Sequence, residues 1–139
     1  MPIVTFHLAE GAASEAQCEQ LMSQASAAYA EILESPIERV RVFINVYSAK
    51  RLAVGGAVLA EDSQGAPYFE YLVLQGRPAS QRQALMSTFT TLVADVLAID
   101  KGLVRGRCVQ LDPEDWGIGG TLASELRKKE IDSRARQTS

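Results

Sequence analysis

The sequence of 139 residues has few of the residues that build metal sites and disulfide frameworks. It contains two cysteines, Cys18 and Cys108, and a single histidine, His7. Because the cysteines are far apart and belong to no CxxC or Cys/His pattern, we expect them to be reduced thiols. His7 has no partner histidine and no ligand spacing, so it is predicted to be structural. The sequence therefore predicts no metal site.

An excess of charge of one sign and long apolar runs are also missing. The chain has 14 basic and 17 acidic residues, a net charge of −3, and no basic run outside its C-terminal end. Nucleic acid is therefore not an expected partner. No apolar run approaches the roughly 18 residues of a membrane-spanning helix, and the first residues lack the segments of a signal peptide. We expect a cytoplasmic protein with no membrane partner, and 47% apolar residues suffice for a packed core.

An internal repeat organises the chain. The stretches PIVTFHLAEG (residues 2–11) and PYFEYLVLQG (residues 67–76) both begin with proline and end with glycine. Each is followed by an apolar stripe with the spacing of an amphipathic helix, then by a stretch containing Val-Arg and by a glycine-rich turn, AVGG or GIGG. The copies are offset by 65 residues at the leading strand and by 64 afterwards. A serine with glutamine three positions later predicts a capping box for each helix, Ser14 with Gln17 and Ser80 with Gln83.

The repeat predicts the domain organisation and the fold class. We expect residues 1–139 to form one α/β domain of two tandem β-α-β units, residues 2–64 and 67–128, with a polar tail, residues 129–139, that frays. A crossover helix makes the two strands of each unit parallel. Two units side by side predict a four-stranded sheet with two helices on one face. The other sheet face also contains apolar residues, so we expect it to pack against partner subunits.

Taken together, the two copies resemble the tautomerase superfamily built on the β-α-β subunit of 4-oxalocrotonate tautomerase (4-OT). The resemblance covers about residues 2–128. It is carried by PIVTFHLAEG, SPIERVRVFINVY, LQGR and, most specifically, WGIGGTLASELRK. It implies a fused member of the 4-OT group with the tautomerase fold, in which one chain contains two such subunits. It further implies a homotrimer, a small carboxylate-bearing substrate, and catalysis without a metal or organic cofactor.

The resemblance also implies which residue would act as the base. Pro2 matches the family's amino-terminal catalytic proline, whose ring nitrogen becomes a secondary amine once Met1 is removed. The alternative interpretation of Pro2 is the ordinary first residue of a strand, where a missing N–H costs little. Pro67 matches the same position in the second copy, but its nitrogen is an amide inside the chain. The implied chemistry therefore belongs to the end of the first copy alone.

Substrate-binding residues are implied in the same way. Arg77 matches the family's arginine just after the first strand, where the first copy has Ala12. Arg41 and Arg105 match the arginine of the second strand, and Trp116 matches the aromatic residue before the glycine turn. For Arg41 an interface ion pair is an equal alternative, and core or trimer packing is the alternative for Trp116. Two further arginines are predicted to be structural or surface charges: Arg39 and Arg107, the latter a possible substitute for Arg105.

These residues imply keto–enol proton transfer on a small 2-oxo or enol carboxylic acid, with Pro2 as general base. Two alternatives within the superfamily are a haloacrylate hydratase-dehalogenase and a 3-oxo acid decarboxylase. The first is disfavoured because Ile118 stands where a water-activating carboxylate is expected, although Glu114 and Asp115 lie nearby. An alternative of another class is a non-catalytic trimeric binding scaffold, which is favoured if Met1 is retained.

Overall fold

A computed structural model describes residues 2–60 and 65–138. Met1, the end of the predicted first unit at residues 61–64, and Ser139 lie outside the described residues. The strands and helices follow in the order β1 (Ile3–Ala9), α1 (Glu15–Leu33), β2 (Arg41–Tyr47), β3 (Ala53–Val54), β4 (Ala57–Val58), β5 (Tyr68–Leu74), α2 (Ala79–Leu97), β6 (Arg105–Leu111), β7 (Gly117–Ile118), β8 (Thr121–Leu122), α3 (Ala123–Leu126) and α4 (Lys128–Thr138).

The central sheet has four strands in the order β2-β1-β5-β6. Strands β1 and β2 are parallel, as are β5 and β6, and the two units join through the antiparallel pair β1–β5. This confirms the predicted α/β fold of two β-α-β units. In the central pair Ile3 lies opposite Leu72. The start of β1, and with it Pro2, therefore lies beside the end of β5.

The two long helices begin differently. Ser14 caps α1 and forms the predicted capping box with Gln17: its side chain accepts from the Gln17 N–H at 3.1 Å, and the Gln17 side chain accepts from the Ser14 N–H at 2.8 Å. The second predicted capping box is wrong. Helix α2 begins at Ala79, after an extended Pro78 that makes no side-chain capping bond, so Ser80 lies inside the first turn.

An aromatic cluster fills the space between the sheet and the two helices. Its members are all fully buried: Phe6, Tyr29, Phe69, Tyr71 and Phe89. Phe89 of α2 lies at the centre, with its ring 5.3–5.9 Å from the other four and in edge-on geometry. Such pairs contribute about 0.5–1.5 kcal/mol each beyond the area they bury. The cluster fixes both helices on one face of the sheet.

The opposite sheet face is open. Phe43 and Tyr47 of β2 are half and about one third exposed there, at 50% and 36%. His7 lies on the same face, with its Nδ1 2.7 Å from the Tyr47 hydroxyl, its Nε2 3.6 Å from a carboxylate oxygen of Glu70, and its ring stacked on Tyr68. Such contacts are those of a structural histidine, and an exposed apolar face of this kind is typical of a protein interface.

The C-terminal segment differs from the prediction that it frays. Residues Lys128–Thr138 form helix α4, whose Glu130 makes a two-point ion pair with Arg39. A contact 91 residues away in sequence holds the segment against the domain. Among the described residues no helix has the length and apolar character to cross a membrane, and neither Cys18 nor Cys108 forms a disulfide.

Candidate active site

A recess surrounds the start of β1. Pro2 is buried there, and its carbonyl accepts a hydrogen bond from the Arg41 N–H at 2.9 Å, which fixes the first residue to β2. Leu72 of β5 and Leu33 at the end of α1 form apolar parts of the wall. Tyr29 of α1 donates its hydroxyl to the carbonyl of Leu72, which ties the helix to this end of the sheet.

Arg77 lies in the same recess as Pro2. It follows Gly76, whose φ of 103° allows the sharp turn at the end of β5. One guanidinium nitrogen donates to the carbonyl of Leu33 at 2.8 Å and to the Gln81 side chain at 3.4 Å. The contact satisfies a carbonyl at the C-terminal end of α1, where a cation is favoured. Burial, and next the charge of Arg134, lower the pKa of Arg77 to about 10, so Arg77 is still a cation at neutral pH.

Three more arginines complete the arginine cluster of the recess, which consists of Arg39, Arg77, Arg127 and Arg134. Arg39 donates from its two terminal nitrogens to the two carboxylate oxygens of Glu130, each at 3.1 Å. These hydrogen bonds are the main reason why the pKa of Glu130 is lowered. Burial likewise lowers the pKa of Arg134. With one carboxylate among four guanidinium groups, the recess has a net charge of about +3, which favours anions.

The size of the recess limits what fits without movement. Its cavity volume is about 20 Å³. A cavity of this size holds about one water molecule and is far below the roughly 300–1,000 Å³ that is usual for small-molecule sites. A small organic acid therefore fits beside Pro2 only if side chains of the recess move.

Three of the predicted site residues have side chains outside the recess of this one chain. The side chain of Arg41, the first residue of β2, is exposed on the open face of the sheet. Arg105 is at the start of β6, beside Tyr68 and thus at the far end of the sheet, where it donates to the carbonyl of Gly102 at 2.7 Å. Trp116 is half-buried just before β7. Within the described part of the chain, Pro2 and Arg77 line the recess together, and the side chains of these three residues do not.

Sequence reasoning missed four of the charged residues in the recess. Arg39, predicted to be a structural or surface charge, lines it, and so do three residues of the C-terminal segment, Arg127, Glu130 and Arg134. One indication was available, because these last three positions follow the i, i+3, i+7 spacing of one helix face. Nothing local in the sequence marks Arg39.

The arrangement suits proton transfer next to a carboxylate. Guanidinium groups bind carboxylates through paired N–H donors, and they stabilise negative charge that develops on a carbonyl oxygen. An amine at the position of Pro2 would be desolvated and surrounded by cations, and both effects lower its pKa. Among the described residues no group of three or more metal-binding side chains comes together.

Comparison with models of protein families finds no match. A curated relative, the 2-hydroxymuconate tautomerase of Pseudomonas sp. (strain CF600), is 41% identical over 56 residues, which are 40% of this chain and 87% of the relative. The chain belongs to the tautomerase superfamily. As the sequence predicted, it is a fused member of the 4-OT group, in which one chain is about twice as long as such a relative.

Solved structures agree with the family assignment. A native fused 4-OT is 25% identical to this chain and has a TM-score of 0.83, and the match covers 90% of this chain and 98% of the other. A wild-type fused 4-OT described as an asymmetric trimer is 23% identical, has a TM-score of 0.81, and covers 89% of this chain and 98% of the other. At this identity the second structure supports the fold alone.

Proposed function

We propose that this protein catalyses keto–enol proton transfer on a small 2-oxo or enol carboxylic acid, with the amine of Pro2 as general base. One observation carries the proposal: the first residue after Met1 is a buried proline in a recess that it shares with Arg77 and the rest of the arginine cluster. Membership of the tautomerase superfamily supports the reaction type. The name of the curated relative supports 2-hydroxymuconate as the substrate to test first.

The proposed step moves one proton twice. With Met1 removed, the Pro2 nitrogen has a lone pair and takes a proton from a carbon or an enol oxygen of the substrate, forming an N–H bond. When a C–H bond is broken its electrons pass to the carbonyl oxygen, and when an enol O–H bond is broken they stay on that oxygen. Both routes give an enolate, which the guanidinium of Arg77 stabilises. The protonated amine then returns the proton to a different carbon. No metal or organic cofactor takes part in the proposed step.

The recess helps to prepare the base. A general base works best when its pKa is near the ambient pH, and the pKa of a secondary amine is higher than that. Burial and neighbouring positive charge both disfavour a cation and lower such a pKa. Arg77, in the same recess, has its pKa lowered for these two reasons. The same effects act on a Pro2 amine and bring its pKa toward neutrality.

We propose further that the protein is a homotrimer, like the trimer of a similar structure. The open sheet face, with Phe43 half exposed, is available to partner subunits. In such an assembly a neighbouring subunit would supply residues that lie outside the recess of their own chain. We propose this role for Arg41, Arg105 and Trp116, which would bind the substrate carboxylate and form an apolar wall.

The first test combines intact mass with a spectrophotometric assay on 2-hydroxymuconate and phenylenolpyruvate. We expect a mass lower by one methionine, and turnover that falls about 10²–10⁴-fold in Pro2→Ala, the usual contribution of a general base. Pro67→Ala is the matched control, because Pro67 is also buried and its carbonyl accepts from Arg105 as that of Pro2 does from Arg41. We expect this variant to retain turnover.

Other outcomes would refute the proposal in different ways. Retained Met1 in the native protein would convert the amine to an amide and indicate a binding scaffold. A Met1-free protein without turnover on either compound would favour the hydratase or decarboxylase reactions of the same superfamily. Equal losses in Pro2→Ala and Pro67→Ala would indicate that Pro2 acts only through the structure.

A further inference from the structure

Helix α4 adds side chains to the recess that lie beyond the two repeats. Glu130 and Arg134 both line the recess next to Pro2. The Arg39 guanidinium, from the loop before β2, reaches Glu130 with both terminal nitrogens at 3.1 Å. The C-terminal segment therefore contributes to the candidate active site itself and places a carboxylate there.

The Glu130 carboxylate occupies the place that a bound carboxylic acid would take. Its two oxygens accept two parallel hydrogen bonds from one guanidinium, the geometry in which arginine binds carboxylate ligands. Other donors lie around it. Arg127 has a buried Nε that makes no hydrogen bond to any residue the structure describes. A buried N–H without an acceptor is costly and favours an incoming oxygen.

Glu130 can leave this position easily. The side chains of Arg39 and Glu130 are 27% and 42% exposed, and an ion pair so close to solvent contributes little net stability. Exchange of Glu130 for a ligand carboxylate conserves the charge and the hydrogen bonds of Arg39. It also widens the recess, whose cavity volume is about 20 Å³ while Glu130 is in place.

From these observations we propose that Arg39 is a carboxylate-binding residue of the site and that Glu130 occupies it until a ligand carboxylate replaces it. The proposal rests on the proposed function in one respect, namely that the ligand is the anionic substrate. Glu130 then acts on affinity through Arg39: it competes with the ligand, and it keeps the arginine in position when the site is empty.

Calorimetric titration of the full chain with fumarate tests the proposal. Fumarate has two carboxylates and no hydrogen that a base could remove to form an enol, so its binding is separate from turnover. We expect Glu130→Gln to bind fumarate about three- to tenfold more tightly, because one competing negative charge is lost. Asp132→Asn, which removes the same charge from an exposed position of α4, is the matched control and should change the affinity less than twofold.

A second variant addresses the arginine. Arg39→Gln should bind fumarate at least fivefold more weakly, since a charge-assisted two-point contact is lost. The proposal is overturned if Glu130→Gln binds no more tightly than the natural chain, if Asp132→Asn shows the same gain, or if Arg39→Gln binds equally well. It is also overturned if Glu130 merely anchors α4. In that case Glu130→Gln would unfold at a lower temperature, and its fumarate affinity would be unchanged or reduced.

The two proposals fail separately. Pro2→Ala removes the proposed base and leaves the arginine cluster in place, so it should bind fumarate within about threefold of the natural chain. Predicted shifts in fumarate affinity without turnover on any enol acid would refute the proposed function alone. Turnover that depends on Pro2, with no change in fumarate affinity in Glu130→Gln, would refute the role of Arg39 and Glu130 alone.

Discussion

Exchange of Phe69 and Gly106 for valine, singly and together, tests how the two copies fill the same place in the core. In the first copy Val4 of β1 lies beside Val42 of β2. At the equivalent positions of the second copy, Phe69 of β5 lies beside Gly106 of β6. A Cβ atom on Gly106 would lie 2.3 Å from the Cζ of Phe69, well inside van der Waals contact. The first copy thus fills this place with two valine side chains, and the second copy fills it with one phenylalanine ring beside a glycine.

The magnitudes follow from the packing. Phe69 is fully buried, and its ring lies about 6 Å from those of Phe6 and Phe89, so it cannot move aside freely. We expect Gly106→Val to cost about 1–3 kcal/mol or more through overpacking, and Phe69→Val to cost about 2–4 kcal/mol through the cavity left by the ring. In the double variant the new valine occupies part of that cavity. Its cost should be at least about 2 kcal/mol less than the sum of the two single costs.

Urea unfolding followed by far-ultraviolet circular dichroism measures these free energies. All variants need the same protomer concentration, because the stability of an oligomer depends on it. The reciprocal exchange in the first copy is the matched control: Val42→Gly should relieve the overpacking caused by Val4→Phe. Costs that add within about 0.5 kcal/mol in both copies would refute the reasoning, since additivity is the behaviour of residues that do not touch.

Two further predictions concern the site and the assembly. Arg77→Gln should lower kcat/KM for 2-hydroxymuconate at least about 10²-fold. Arg77→Lys should lower kcat/KM less, but still measurably, because a lysine cannot make the two-point contact. Steady-state kinetics in which the lysine variant equals the natural chain would contradict this. Phe43→Asp on the open sheet face should reduce the mass measured by light scattering below that of a trimer. Ala27→Asp on the exposed side of α1 is the control and should leave the mass unchanged. An unchanged mass for Phe43→Asp would exclude the open sheet face as the interface.

Much of the fold could be predicted because the same pattern of strand, helix and strand occurs twice in the sequence. Each copy has a strand that begins with proline and ends before glycine, followed by a helical stripe of apolar residues, and the structure has β1 with α1 and β5 with α2 at these places. Regular periods of this kind reflect burial of one face, which is a local property of the sequence. Pro2 and Arg77 were implied as site residues by the family resemblance and not by these periods, and both line the same recess.

The missed parts of the site depend on contacts between distant segments. Arg39 and Glu130 are 91 residues apart and lie in different parts of the pattern, one inside a copy and one beyond both. They pair because α4 packs back against the domain near Arg39. The local spacing of apolar residues in the sequence does not predict this contact. The false capping box at Ser80 has a local cause instead. The extended Pro78 starts the helix earlier and removes the role that Ser80 would have had.

The two ends of the sheet show why one chain has one candidate site. The repeat makes the ends alike: Pro2 and Pro67 are both buried, and each accepts a hydrogen bond from the arginine that begins the neighbouring strand. The two ends differ in the charged and basic groups that the proposed reaction requires. At the position equivalent to Arg77 the first copy has Ala12, which is buried and carries no charge. Helix α4 brings its charges to the Pro2 end, and the nitrogen of Pro67 is a peptide nitrogen with no basic lone pair. Since the proposed base lies beside the arginine cluster at the Pro2 end, loss of activity in Pro2→Ala but not in Pro67→Ala would locate the chemistry at that end.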